Sequence, residues 1–205
     1  MRKKVPCQYQ QYWKVFSNKE SKRLPPECPW DHMINLKEGA PSTLISRNIH
    51  LSQPEQVELQ KFIKEYTARE TIQSSKSPYA AAFFFIKKKN RKLRPVQDYR
   101  PVNTWTIRNK YPLPLIPQQI DHLRGCTLFT KFDIRWGYNT IQVKKGHKWK
   151  AAFTTNKGLY ELTVMFFRLT NSPTTFQVMM NTLFCTQIAS GELTIYMDNM
   201  VMHIS

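Results

Sequence analysis

Asp133, in the stretch KFDIRWGYN, and Asp198, in IYMDN, are the residues whose type and setting could do chemistry. Asp133 closes an apolar run, and Asp198 lies between two of them, LTIY and MVMHI. If the strands that carry them are neighbours in one sheet, the side chains converge although 65 residues separate them. Two converging carboxylates offer the oxygen ligands that Mg²⁺ demands, and two such ions about 4 Å apart clamp an in-line phosphoryl transfer. Spacing alone is a weak signal, because any domain has acidic residues at strand ends.

Several elements must hold these residues in place. Ser52-Gln-Pro-Glu55 has the pattern of a capping box with proline in the first turn. Leu59, Phe62, Ile63 and Tyr66 follow at the spacing of one helix face, which predicts an amphipathic helix of about four turns. Residues 80–86 read as a buried strand, KKKNRK (87–92) as a basic hairpin tip, and residues 93–98 as the returning strand. A proline-rich turn leads to a short helix stopped by Gly125, and residues 127–132 form a strand that ends at Asp133. Two or three strands fill 140–164, with turns at Gly146 and at Asn156-Lys-Gly158. Ser172-Pro173 opens a second helix with Phe176, Met179, Met180, Leu183 and Phe184 on one face, its methionines serving as core. The last segment is a β-hairpin with its polar residues at the tip. The order predicts an α+β chain with an antiparallel sheet.

Composition narrows the partners. The chain has 205 residues, 41% of them hydrophobic, enough for a real core, and 31 Lys and Arg against 14 Asp and Glu give a formal net charge of +17. Such a field attracts phosphate-rich polymers or acidic membranes, with nucleic acid the first expectation and a solvated basic face the plainer alternative. Cys7, Cys28, Cys126 and Cys185 are far apart and form no C-x-x-C pair, which indicates reduced thiols, with neither a zinc knuckle nor a compact disulfide framework. The basic N-terminus has no apolar stretch behind it, and the run at 80–86 is far too short to span a bilayer. A soluble intracellular protein, cytoplasmic or nuclear, is expected. Residues 1–50 mix charges, prolines and scattered aromatics and read as an extended lead-in with a few docked side chains.

Six blocks carry a resemblance: LRPVQDYRPVN (93–103), YPLPLIP (111–117), LFTKFDIRWGYN (128–139), WKAAFTTNKGLYE (149–161), FRLTNSPTTFQ (167–177) and IYMDN (195–199). In order and spacing they resemble a reverse transcriptase, closest to those of gypsy-type long-terminal-repeat retrotransposons. The lead-in, with SKRLPP and PWDH, resembles the segment that joins protease to polymerase in such polyproteins. The resemblance implies fingers and an incomplete palm over 51–205, acting on an RNA or DNA template-primer and deoxynucleoside triphosphates with two Mg²⁺ ions, or Mn²⁺. It implies Asp133 and Asp198 as catalytic metal ligands, joined by the Ile134 carbonyl and Asn199. The Arg135 and Trp136 amides, Lys88 and Arg94 would meet the triphosphate, Tyr138 would crowd the sugar 2′ position, and Phe167 would line the nucleotide pocket. Arg100, Asn103 and Gln177 fall where the family touches template; without the resemblance they read as surface polar residues.

Three departures shape the expected activity. The family's hairpin ends in two aspartates, and here the second is Asn199. Removing a carboxylate about 4 Å from a divalent ion forfeits roughly 8 kcal/mol of attraction at an effective dielectric near 20, much of it offset by hydration. Even a quarter of that costs more than tenfold in rate. The turn itself should tolerate the exchange, since Asn and Asp both accept positive φ. Arg168 replaces a family glycine, which predicts a strained loop or a crowded nucleotide pocket, with a charge that meets a phosphate as the alternative. The sequence ends at Ser205, before the rest of the palm, the thumb, the connection and the ribonuclease H domain. The expectation is therefore a truncated, impaired RNA-directed DNA polymerase, with a non-catalytic nucleic-acid-binding remnant as the alternative.

Overall fold

A computed structural model describes residues 6–17, 20–87 and 92–204, so Lys88 and the centre of the basic tip lie outside the described residues. Helix α1 (Gln53–Ala68) starts at the expected capping box, where the Glu55 carboxylate accepts the Ser52 N–H at 2.8 Å and its hydroxyl at 2.6 Å. Its periodicity buries Leu59, Phe62 and Tyr66. The Phe62 ring lies 5.4 Å from Phe83 and 6.4 Å from Phe153, at the centre of the larger core. Burying each such side chain contributes about 1.5–3 kcal/mol.

The larger sheet comprises β1 (Leu44–Ile45), β2 (Ile72–Ser74), β3 (Tyr79–Lys87), β4 (Leu93–Asp98), β6 (Ala152–Thr155) and β7 (Gly158–Leu162). Its order is β1-β3-β6-β7-β2, with β4 paired to β3. The β3–β4 hairpin falls where the apolar runs flank the basic tip. The sheet is mixed, because β1 and β6 both run parallel to β3. Those pairings join segments far apart in the chain, so no local turn signal announces them.

β5 (Leu128–Asp133), β8 (Leu193–Tyr196) and β9 (Asn199–Ile204) form a second, antiparallel sheet in the order β5-β9-β8. Helix α4 (Ser172–Leu183) covers one face, packing Phe176, Met179 and Met180 with Leu193, Ile195 and Met200. Leu183 departs from the expected apolar face: it is exposed, while Phe184 packs against this cluster at the junction with α5 (Cys185–Ala189). Short helices α2 (Arg100–Trp105) and α3 (Ile116–His122) connect the two sheets, and Gly125 takes a φ of +82° after the second.

The lead-in docks through His32 and Ile34, both buried. His32 bridges to Val143 and Leu36 to Thr106, and β1 adds a strand to the larger sheet. A 3₁₀ helix at Cys7–Phe16 had no signal in the sequence pattern. Among the described residues, no helix is long and apolar enough to cross a membrane.

Candidate active site

Register brings the two aspartates together. Asp133 stands opposite Asn199 in the β5–β9 ladder, and the Ile134 N–H donates to the Asp198 carbonyl at 3.3 Å. Both carboxylates line one cavity of about 670 Å³, Asp133 exposed and Asp198 half-buried. Among the described residues no three His, Cys, Asp or Glu side chains cluster to hold a metal. Two carboxylates with a nearby backbone carbonyl nevertheless fit Mg²⁺, which is usually held by one or two carboxylates together with substrate phosphates.

The β8–β9 turn is tighter than the sequence indicates. Tyr196 pairs with Asn199, leaving Met197 and Asp198 as the two turn residues. The positive φ, +56°, falls on Met197 rather than on the acidic or amide residue. A left-handed non-glycine residue costs on the order of 1–3 kcal/mol unless its surroundings hold it there. Gln177 supplies that hold: it is 0% exposed, and its Oε1 accepts the Met197 N–H at 2.8 Å. Its Nε2 donates to Asn181 Oδ1 at 2.9 Å and to the Ile195 carbonyl at 3.4 Å. Gln177 is thus a buried clamp on the Asp198 turn, not a surface residue open to template.

Around Asp133 the chain turns through Ile134, Arg135, Trp136 and Tyr138, all lining the same cavity. Among the described residues the Arg135 and Trp136 N–H groups bond to no backbone carbonyl, whereas Gly137 N–H turns back to the Ile134 carbonyl at 3.2 Å. That carbonyl keeps a second lone pair. Trp136 also takes a left-handed φ, +58°, with its ring edge-on to Tyr66 at 6.4 Å and the Arg69 guanidinium 5.9 Å away. Gly137 is needed for closeness: a Cβ there would come within 3.0 Å of the Phe176 ring. Tyr138 lies 5.2 Å from Phe176, and its hydroxyl reaches Met197 Sδ at 3.5 Å. Burial, reinforced by the Asp198 and Tyr196 side chains, raises its pKa to about 12, so the phenol stays neutral.

Arg94 and Phe167 form the opposite wall. The guanidinium sits 4.4 Å from the phenyl centroid, and among the described residues Arg94 has no ion-pair partner. Arg168 lies 5.3 Å from the same ring but lines a neighbouring cavity of about 370 Å³ with Arg100 and Asn103. The expectation that Arg168 strains its loop or crowds the nucleotide cavity fails on both counts. Its φ is not among the positive ones, and its side chain lines the other cavity.

The remaining expected contacts are placed differently. Asn199 does not line the aspartate cavity; its amide nitrogen donates to Asp198 Oδ1 at 3.3 Å. Arg100 is exposed but forks onto Asp98 at 2.8 and 2.7 Å, and its hydrogen bonds hold the Asp98 carboxyl below its ordinary pKa. Asn103 bonds the Arg168 carbonyl and the Thr170 N–H, both at 2.9 Å, so it fastens the loop that carries Phe167. Tyr66 was missed: the helical period marks it as core, and only the fold carries this end of α1 to the cavity edge.

Residues 86–205 match the family profile described as reverse transcriptase (RNA-dependent DNA polymerase). The chain belongs to that family. Transposon Tf2-7 polyprotein of Schizosaccharomyces pombe is 38% identical over 132 residues, 64% of this chain and 10% of the polyprotein. Transposon Tf2-3 polyprotein of the same organism is 37% identical over the same length. The sequence corresponds to the reverse transcriptase region of a long-terminal-repeat retrotransposon polyprotein and spans about a tenth of these curated relatives. The fold is similar to the foamy viral protease-reverse transcriptase solved with dsDNA (TM-score 0.72, 18% identity, 97% of this chain and 42% of that one). A second foamy viral structure, dRH with dsDNA, gives a TM-score of 0.75 at 16% identity over 98% of this chain and 36% of that one.

Proposed function

We propose that this region performs RNA-directed DNA synthesis for a gypsy-type retrotransposon, at a rate lowered by Asn199. The reaction is attack of a primer 3′-hydroxyl on the α-phosphate of a deoxynucleoside triphosphate. The observation that supports it most is that Asp133 and Asp198, 65 residues apart within the family match, line one cavity with Arg94, Tyr138 and Phe167. Mg²⁺, or Mn²⁺, would be held by the Asp133 and Asp198 carboxylates and the Ile134 carbonyl, and supplies charge stabilisation to in-line phosphoryl transfer.

The chain's own residues do the rest. Arg94 offers a planar, permanently charged fork to the triphosphate, pre-set by stacking on Phe167. The Arg135 and Trp136 N–H groups add donors at the cavity wall. Tyr138, neutral and wedged on Phe176, is a rigid barrier beside the sugar. Asn199 leaves the cluster one negative charge short and occupies an Asp198 oxygen that a cation would otherwise take. Arg168 and Arg100 rim the second cavity and face a template strand, for which the +17 charge provides attraction. Residues 1–50 act as the connection from protease to polymerase, in keeping with the 97% coverage by the foamy viral protease-reverse transcriptase.

The test is primer extension on an RNA template with Mg²⁺ or Mn²⁺. Weak template-directed incorporation that disappears in Asp133→Ala is expected. Synthesis indifferent to that substitution would overturn the proposal.

A further inference from the structure

Three side chains line up across the smaller sheet at the end away from the aspartates: Cys126 just ahead of β5, His203 on β9 and Thr194 on β8. Cys126 Sγ lies 3.3 Å from His203 Nδ1, and His203 Nε2 lies 3.0 Å from Thr194 Oγ1. His203 is only 5% exposed and Thr194 is buried, while Cys126 is half-buried. In the tautomer that carries its N–H on Nε2, toward Thr194, the ring presents the Nδ1 lone pair to the thiol, whose S–H can then donate to it. The His122 carbonyl, an alternative acceptor, is farther away at 3.8 Å. A nucleophile within reach of a base, with a third group orienting that base, is the arrangement that activates a thiol. The nucleotidyl-transfer reading uses none of these residues.

We propose that Cys126 is a modification site, a thiol that His203 activates toward low-molecular-weight disulfides and other soft electrophiles. In the exchange, His203 Nδ1 takes the thiol proton and the Cys126 sulfur attacks one sulfur of the small disulfide. The small disulfide's S–S bond breaks, a new one forms to Cys126, and the departing thiolate recovers the proton from the imidazolium. Cys126 sulfur is oxidised, the released sulfur is reduced to a thiol, and no further redox partner is needed.

The other three cysteines are placed differently. Cys7 and Cys185 are more exposed, but their side-chain hydrogen-bond partners among the described residues are Gln10 and Thr186, each at 3.9 Å, and neither is a base. The Cys28 thiol donates to the Asp31 carboxylate at 3.3 Å, and burial together with that carboxylate raises its pKa. Exposure alone therefore ranks Cys7 and Cys185 first, whereas an activated thiol puts Cys126 ahead and Cys28 last.

The experiment treats the folded chain with glutathione disulfide and, separately, with iodoacetamide at one neutral pH, following each cysteine by peptide mass mapping. Cys126 is expected to react several-fold faster than Cys7 or Cys185. His203→Gln should slow Cys126 alone, and Thr194→Val should slow it in part. If His203→Gln speeds Cys28, the fold has loosened and Thr194→Val decides. Cys126 reacting no faster than Cys7 and Cys185, or unaffected by both substitutions in a chain whose Cys28 stays slow, overturns the proposal.

Discussion

The six-stranded sheet supplies Arg94 to the cavity and the three-stranded sheet supplies the aspartates, and the two are held with unequal firmness. β3 is buried along most of its length under α1, and its Phe83 joins Phe62 and Phe153 in one aromatic cluster. β5, which ends in Asp133, is exposed at every residue, with Leu128 at 62% and Phe129 at 53%. The cationic wall therefore rests on a deep core, whereas the acidic wall depends on ladder register and on one buried clamp, Gln177. Two of the three left-handed non-glycine residues among those described, Trp136 and Met197, are on this acidic side. A change of charge on the acidic side therefore reaches the cavity without disturbing the deep core under β3.

The largest loss of activity is expected at the carboxylates. Asp198→Ala should lower nucleotide incorporation by at least about a hundredfold, since even a third of a roughly 8 kcal/mol attraction is about two decades. The thermal midpoint should hardly move, because the side chain is half-buried and its hydrogen-bond partner, Asn199, is exposed.

Acid should strain the anchorage of the lead-in next. His32 is 1% exposed, with Nδ1 at 3.0 Å from Thr175 Oγ1 on α4, and burial followed by the nearby His147 lowers its pKa to about 4. The unfolded chain takes up a proton below about 6.5 and the folded chain only near 4, so this group's contribution is complete above pH 6.5. It is lost as pH falls from 6.5 to 4, by about 3 kcal/mol in total. Urea midpoints at pH 7.5 and 4.5 should differ accordingly, and His32→Gln should narrow the gap.

Gln177→Leu sharpens the point about the clamp. It leaves the Met197 N–H and the Ile195 carbonyl without their partner, a loss of about 1–3 kcal/mol by chemical denaturation. Incorporation should fall with it, because the Asp198 turn loosens. On the other sheet the expected change is smaller and of opposite sign. Gln97, opposite Phe83, is 1% exposed, and neither amide atom has a partner among the described residues. Gln97→Met removes that unpaired group and should raise the melting midpoint by about 2–4 °C per kcal/mol gained, without changing incorporation.

Much of this architecture was legible in the residues. The capping box at Ser52, the apolar period through Tyr66 and the strands flanking the basic tip are local signals, and local signals were read correctly. The meeting of Asp133 and Asp198 followed from a hairpin and a strand end, once adjacency was assumed. What escaped depends on partners distant in the chain. Gln177 looks like a polar helix residue until the Met197 N–H, 20 residues on, is seen to need an acceptor. The positive φ of Met197 has no composition signal, since methionine rarely takes it. Arg168, in a family glycine position, invited a strain argument that its backbone does not bear out, and its direction was set by the cavity it lines.

The most direct test of a site that is assembled but short of charge is single-nucleotide incorporation by Asn199→Asp beside the native chain, on an RNA template with Mg²⁺. Restoring the carboxylate should raise the rate more than tenfold, as a quarter of the roughly 8 kcal/mol attraction requires. An unchanged or lower rate in a folded Asn199→Asp chain would contradict the account.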